Sequence, residues 1–151
     1  MVVRPLREHL ILLLSVASHV SKQTQEQRLA EQDLSVREQV ALNAIAEGAP
    51  TQLTIAHKAG LDKSTLTPVL DQLERKKLIE RQPDPGDRRA RIVTMTDAGR
   101  EALTRSSQTV TEVEDDLLTD LTPAERAQFR ALLQRIVEGR MADLPVPGSC
   151  L

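Results

Sequence analysis

The side chains of this sequence that are best suited to specific contacts are hydroxyls, amides and cations gathered between residues 62 and 91. Apolar residues recur there at three- and four-residue spacing, which predicts a helix capped by Asp62. The buried stripe of that helix would be Leu66, Val69, Leu70 and Leu73. Its outward face would carry Lys63, Ser64, Thr65, Thr67, Asp71, Gln72 and Arg75. Such side chains can hydrogen bond to base edges in a DNA major groove, although small hydroxyl residues at a helix start are usually simple caps.

Pro68 lies inside this predicted helix, where it removes a backbone hydrogen bond. A proline is tolerated best in the first turn of a helix. We therefore expect the regular helix to begin later than Asp62.

Two strands with a basic loop between them are predicted to follow, at residues 78–81 and 91–95. Two prolines and a glycine make the connecting segment a turn. Arginine suits a narrow minor groove, where the negative potential is deep. The candidate DNA-contacting residues of this hairpin are Asp87, Arg88, Arg89 and Arg91. Asp87 is expected to pair with a neighbouring arginine and hold the shape of the loop.

The element that precedes the helix at Asp62 is also helical, with Thr51 as its cap and Gly60 as its stop. Leu53, Ile55, Ala56 and Ala59 are its expected packing residues. Helix, turn, helix and hairpin in this order form the plan of a winged helix-turn-helix, which places its second helix in a DNA major groove.

Long helices are predicted on both sides of this unit. The first begins near Pro5 and runs to about Ala30, and its start is apolar almost all round, so it needs partners on several sides. Ser35 with Glu38 and Thr122 with Glu125 are capping-box signals for later helices. The expected fold is mainly α with a small β-hairpin. Its parts are an N-terminal dimerisation helix (1–33), a winged helix-turn-helix DNA-binding domain (34–95), C-terminal dimerisation helices (96–143) and a tail (144–151).

Composition limits the classes of function. The net charge of the 151 residues is −2, but the segment 57–91 holds nine Lys and Arg against six Asp and Glu, a local charge of +3. A solvated mixed-charge surface would explain this as well as DNA binding does. Aromatic residues are nearly absent, which disfavours recognition of single strands by base stacking.

Other chemistries lack their signatures. The apolar run 10–16 is far shorter than a membrane span, so no membrane partner is expected. Cys150 is the single thiol, so no disulfide framework is possible within one chain, which fits a cytoplasmic location. The spacing of His9, His19 and His57 matches no metal motif, and no nucleophile elbow or phosphate loop occurs. We therefore expect no enzyme activity, cofactor or metal.

The sequence resembles the MarR family of bacterial transcriptional regulators over essentially its full length. The residues that carry the resemblance are Leu34-Ser35, the run 61–70 with Leu73-Glu74, the wing 84–93 and the helix start Thr96-Asp97-Ala98-Gly99. The D-x-R wing followed by T-x-x-G is the specific part, and the S-T-L-T-P run is similar to the hydroperoxide-sensing, OhrR-like branch.

The resemblance implies a homodimer that represses genes by binding a pseudo-palindromic double-stranded operator. It implies that Ser64, Thr65, Thr67 and Gln72 face the major groove. Arg89 would enter the minor groove, with Asp87 and Arg88 supporting the wing. Release of the DNA would follow binding of a small molecule between the dimerisation helices and the DNA-reading domain, or oxidation of a thiol.

The hydroperoxide branch senses through a cysteine in the first helix, aided by tyrosines. This sequence has Ser15 and His19 in that region and no tyrosine. A small-molecule effector is therefore the favoured signal, with Ser15 and His19 as candidate contacts and a packing role for both as the alternative. Two other functions stay open: a winged-helix protein-interaction module that does not bind DNA, and a redox-responsive regulator.

Overall fold

A computed structural model describes residues 5–87 and 90–144, which form six α-helices and one two-stranded antiparallel sheet. The helices are α1 Leu10–Ala30, α2 Val36–Ala46, α3 Gln52–Ala59, α4 Lys63–Arg75, α5 Asp97–Leu117 and α6 Pro123–Glu138. The strands are β1 Ile79–Pro83 and β2 Arg91–Met95, and short 3-10 turns lie at Leu6–Glu8 and Arg140–Asp143. The predicted class, mainly α with one hairpin, is confirmed.

The predicted helix caps account for most of these boundaries. Ser35 Oγ accepts from the backbone of Glu38, whose carboxylate accepts in return from Ser35 N at 2.8 Å. Thr122 and Glu125 make the same reciprocal pair at the start of α6. These bonds satisfy backbone groups that a helix start leaves without partners, so the sequence signal fixes the boundary.

The buried core lies beneath α4 and joins it to the surrounding elements. Its largest fully buried apolar side chains are Leu29, Leu42, Ile55, Leu66, Leu70, Leu73 and Ile79. Strand β2 is tied to the segment before α3 because Val93 N donates to Pro50 O at 2.8 Å. A Cβ at Gly99 would overlap the carbonyl oxygen of Leu78, so this glycine lets α5 start directly against the hairpin.

Three expectations about elements are wrong. The first helix begins at Leu10, because the extended backbone of His9 separates it from the turn that follows Pro5. Pro68 does not lie in the first turn of its helix: α4 begins at Lys63, directly after the cap Asp62, and carries Pro68 at its sixth position, on an exposed side. Leu53 is 80% exposed, because the buried side of the short α3 is taken by its three other apolar residues.

Two helix surfaces stay exposed in the single chain. The first half of α1 exposes Leu10, Ile11, Leu12, Leu13 and Val16. Helix α6 has no buried residue and exposes Phe129, Leu132, Ile136 and Val137. These surfaces are apolar yet open to solvent, so one copy of the chain leaves them unpaired. Within the described residues, no helix combines the length and apolarity required to cross a bilayer.

Candidate nucleic-acid interface

Helix α4, here called the recognition helix, is joined to α3 by a tight turn. Gly60 ends α3 in the left-handed conformation, with φ of 64°, which glycine adopts without strain. Leu61 is buried, and its backbone N donates to Ala56 O at 3.1 Å. The buried leucines of α4 then direct its polar side outward, as the sequence spacing predicts.

Asp62 organises the first turn of the recognition helix. Its carboxylate accepts from Thr65 N at 2.8 Å, from Thr65 Oγ1 at 2.8 Å and from Ser64 Oγ at 2.5 Å. Both hydroxyls therefore use their donor within the cap and keep acceptor lone pairs for a partner. This cap also explains why the helix starts at Lys63 despite Pro68.

A second polar link joins the two helices of the motif. Gln52 Nε2, at the first position of α3, donates to Thr67 Oγ1 at 2.7 Å, and Thr67 Oγ1 donates to Lys63 O at 2.9 Å. No sequence pattern points to Gln52, because its partner lies fifteen residues away on another helix. The exposed polar side chains of the recognition helix that keep donors for a ligand are Lys63, Gln72 and Arg75.

The β-hairpin 79–95, here called the wing, has a loop shaped by Asp84. Asp84 N donates to Ala90 O at 3.1 Å, and Asp84 Oδ1 accepts from Gly86 N at 2.7 Å. Arg91 is exposed at the start of β2, opposite Pro83. Arg88 and Arg89 lie outside the described residues, so the pairing predicted for Asp87 stays a prediction.

Arg81 fastens the wing to the recognition helix. Its guanidinium donates to Asp71 Oδ1 at 2.7 Å and, through Nε, to Glu74 Oε2 at 3.0 Å. The hydrogen bond from Arg81 lowers the pKa of Glu74, and the bond to Glu74 raises the pKa of Arg81. Arg81 likewise carries no sequence signal, because no local pattern places a strand residue beside α4.

A cavity of about 580 Å³ opens between α3, the start of α4 and the wing. Its charged lining residues are Lys63, Arg81 and Arg91, with no carboxylate among the residues that line it. Exposed Leu53 adds an apolar contact at its edge. A concave surface lined by cations favours an anionic partner, and a nucleic-acid backbone is one.

A larger crevice of about 720 Å³ lies between α1, α2 and the recognition helix. Lys22 and Glu26 line it from α1, and Gln72 and Lys76 line it from α4 and its cap. In its wall, the Lys76 ammonium lies 2.9 Å and 3.1 Å from the two oxygens of the buried Glu38 carboxylate. Side chains of the recognition helix therefore form part of the wall of this crevice.

Ser15 and His19 lie together in a shallow groove on α1, apart from this crevice. Ser15 Oγ donates to Ile11 O at 2.9 Å, and both side chains are exposed. Lys22 lines both the groove and the crevice, so the two concavities adjoin. Among residues 5–87 and 90–144, no group of three or more His, Cys, Asp or Glu is placed to hold a metal ion.

The chain is similar to known transcriptional regulators in sequence and in structure. The model of the MarR family matches residues 44–90. The chain is 37% identical over 86 residues to the putative transcriptional regulatory protein for the hcr operon of Thauera aromatica, and 35% identical over 92 residues to the regulator PecS of Dickeya dadantii. These alignments cover 57% and 59% of this chain but 52% and 55% of the relatives, so the chain spans about half the length of these curated proteins.

Solved structures match over a greater length. A MarR-family regulator from Rhodococcus sp. RHA1 has a TM-score of 0.79 at 26% identity, covering 89% of this chain and 96% of that one. A mutant MarR from E. coli complexed with operator DNA has a TM-score of 0.74 at 25% identity, covering 83% and 91%. PcaV from Streptomyces coelicolor, in complex with its natural ligand, has a TM-score of 0.78 at 26% identity, covering 92% and 99%.

Proposed function

We propose that the chain is a transcriptional regulator of the MarR family, a sequence-specific repressor that binds double-stranded DNA as a homodimer. The observation that carries the proposal is the cation-lined cavity between the recognition helix and the wing. A helix and a hairpin that are fixed to each other can engage the major groove and the adjacent minor groove together.

The side chains proposed to contact DNA fall into two groups, those that still have a free hydrogen-bond donor and those that can only accept. Lys63, Gln72 and Arg75 are exposed and would reach phosphates or base edges. Ser64 and Thr65 would act as acceptors, because Asp62 holds their donors. Thr67 from the helix, and Asp87, Arg88, Arg89 and Arg91 from the wing, complete the proposed set.

The exposed faces of α1 and α6 support the homodimer. Burying these apolar side chains against a second copy would remove them from water, which stabilises association. A twofold pair of recognition helices requires half-sites about 34–36 Å apart, or one DNA turn, and hence a pseudo-palindromic operator. In this arrangement, residues 1–33 and 96–143 serve dimerisation and residues 34–95 read the DNA.

A small-molecule effector would act through the crevice between α1, α2 and the recognition helix. An occupant there would contact Gln72 and the Lys76–Glu38 ion pair, and so would favour one position of the recognition helix over another. Ser15 and His19 would contact an effector that extends into the adjoining groove. A related structure, BpsR from Bordetella bronchiseptica, is described with 6-hydroxynicotinic acid as its regulator. We place the activity in the cytoplasm, with no catalytic reaction.

A mobility-shift titration on the DNA upstream of its own gene tests the proposal. We expect a specific complex whose affinity falls steeply with added salt, because cations on the protein displace counterions from phosphates. Arg89→Ala should weaken the complex strongly. Indifference to DNA even at low salt would contradict the proposal and favour a winged-helix module that binds protein.

A further inference from the structure

Three ionic side chains lie where the wing meets the recognition helix. Arg81 lies in the middle of β1, opposite Val93, so the paired backbone of the hairpin sets its position. Asp71 and Glu74 lie one turn apart on the recognition helix, and both accept from the Arg81 guanidinium. A guanidinium that meets two carboxylates at these distances makes charge-assisted hydrogen bonds, the stronger kind.

The two carboxylates are poorly placed for a surface that binds DNA. The side chains of Asp71 and Glu74 are 48% and 41% exposed, whereas that of Arg81 is 22% exposed. Arg81 lines the same cation-lined cavity as Lys63 and Arg91. Without the guanidinium, two uncompensated negative charges would stand on the recognition helix beside that cavity and would repel phosphates.

The wing has other attachments, so Arg81 is not needed merely to hold it in place. Leu78 N, just before the wing, donates to Leu73 O at 2.9 Å, and Val93 N of the wing donates to Pro50 O at 2.8 Å. Ile79 is buried in the core beside the recognition helix. The hairpin therefore keeps backbone and apolar contacts that do not involve Arg81.

We propose that Arg81 is a positioning residue for DNA binding, which acts by neutralising Asp71 and Glu74 on the recognition helix. This inference rests on the proposed DNA-binding function. Arg81 need not contact DNA itself, because its effect is to keep the two carboxylates paired and directed toward the wing. The cations Lys63 and Arg91 then face the phosphates without added repulsion from Asp71 and Glu74.

Three variants of the full chain test this role: Arg81→Met, Arg81→Lys and the triple variant Arg81→Met, Asp71→Asn, Glu74→Gln. The probe is a duplex that the wild-type protein enriches from a random-sequence pool. We expect Arg81→Met to weaken binding by about tenfold. Arg81→Lys should lose less, because it keeps the charge, and the triple variant should recover most of the loss.

Salt dependence and folding distinguish neutralisation from a structural role. The difference in DNA affinity between Arg81→Met and wild type should become smaller with added salt, because salt screens the repulsion between exposed charges. Thermal unfolding without DNA identifies a variant that is not folded. If Arg81→Met does not fold, the affinity of the folded triple variant, compared with that of wild type, still shows whether DNA binding survives without the guanidinium. Arg105→Met is the matched control, because Arg105 is exposed on α5 and its ion-pair partner Glu101, at 3.9 Å, lies on the same helix.

Unchanged affinity in Arg81→Met would overturn the inference. A triple variant that binds as weakly as Arg81→Met would also overturn it, because the arginine would then act by contacting DNA or by shaping the fold. A wild-type protein that enriches no duplex would instead refute the proposed function, so the two failures are distinguishable.

Discussion

The winged unit, residues 34–95, buries its apolar side chains within one chain to a greater extent than the long helices α1, α5 and α6 do. The winged unit buries six large apolar side chains completely: Leu42, Ile55, Leu66, Leu70, Leu73 and Ile79. Helix α6 buries none, and the described start of α1 leaves a row of leucines exposed. A core that closes within one chain is stable alone, whereas an exposed apolar helix face needs a partner. The contrast predicts that substitutions can separate the proposed DNA reading from the proposed dimerisation.

A charge placed on the exposed face of α1 should have the largest effect, and it tests whether this face is a dimer interface that is separate from the winged unit. Ile11 is 74% exposed in the single chain, so Ile11→Asp should leave the winged unit folded. In the proposed dimer the same carboxylate would be buried without a partner, which is strongly unfavourable. We expect sedimentation equilibrium to show a monomer, with loss of tight operator binding.

Leu53→Asp is the matched control for this substitution, since Leu53 is 80% exposed, similar to Ile11, but lies on α3 at the proposed DNA surface. It should leave the dimer intact while weakening DNA binding. A dimer that survives Ile11→Asp would contradict the assignment of this face.

A cavity in the core of the winged unit is expected to have the next largest effect. Leu70 is fully buried, and Leu70→Ala should lower the free energy of unfolding by about 2–5 kcal/mol. Leu132→Ala on exposed α6 should instead lower the stability only at protein concentrations at which the wild type is dimeric, because it weakens the association of the two chains. Chemical denaturation at several protein concentrations measures the stability of both variants. The same concentration dependence in both would contradict the distinction between a core closed within one chain and a helix face that needs a partner.

Loss of the cap on the recognition helix should have a smaller effect. Asp62→Ala removes the acceptor for Thr65 N and for two hydroxyls, and should cost about 1–2 kcal/mol of stability. Asp62→Asn keeps one side-chain acceptor and should lose less. If urea denaturation gave the same stability for Asp62→Ala and wild type, the cap would not hold the first turn.

The smallest expected effect is a pH dependence within the winged unit. The hydrogen bond from Arg81 lowers the pKa of Glu74 in the folded state relative to the unfolded chain. The resulting stabilisation is present above the unfolded pKa and is lost as pH falls through the folded pKa. The stability advantage of wild type over Glu74→Gln should therefore shrink on acidification below about pH 4.5. An advantage that grows in acid would have the wrong sign.

Local chemistry made much of this fold predictable. Ser35, Thr51 and Asp62 mark helix starts and Gly60 marks a stop, because caps and left-handed glycines depend on neighbours a few residues away. The apolar spacing within α4 likewise separated its buried face from its outward face.

The sequence did not reveal contacts that join distant elements. Gln52 meets Thr67 across a helix pair, and Arg81 meets Asp71 across the junction of strand and helix. Leu53 was misassigned because apolar character alone does not show which side of a short helix faces the core. The hydroxyls of Ser64 and Thr65 proved to be partly engaged in the cap, which spacing alone left open.

Hydroxyl-radical footprinting of the selected duplex tests the central claim most directly, because it reports how many recognition helices engage DNA and how far apart they lie. The account predicts two symmetric protected patches whose centres are one helical turn, about 10 base pairs, apart or a whole multiple of it. Protection should extend into the flanking minor grooves and should shrink there in Arg89→Ala. A single patch, bound by a monomeric protein, would contradict the account.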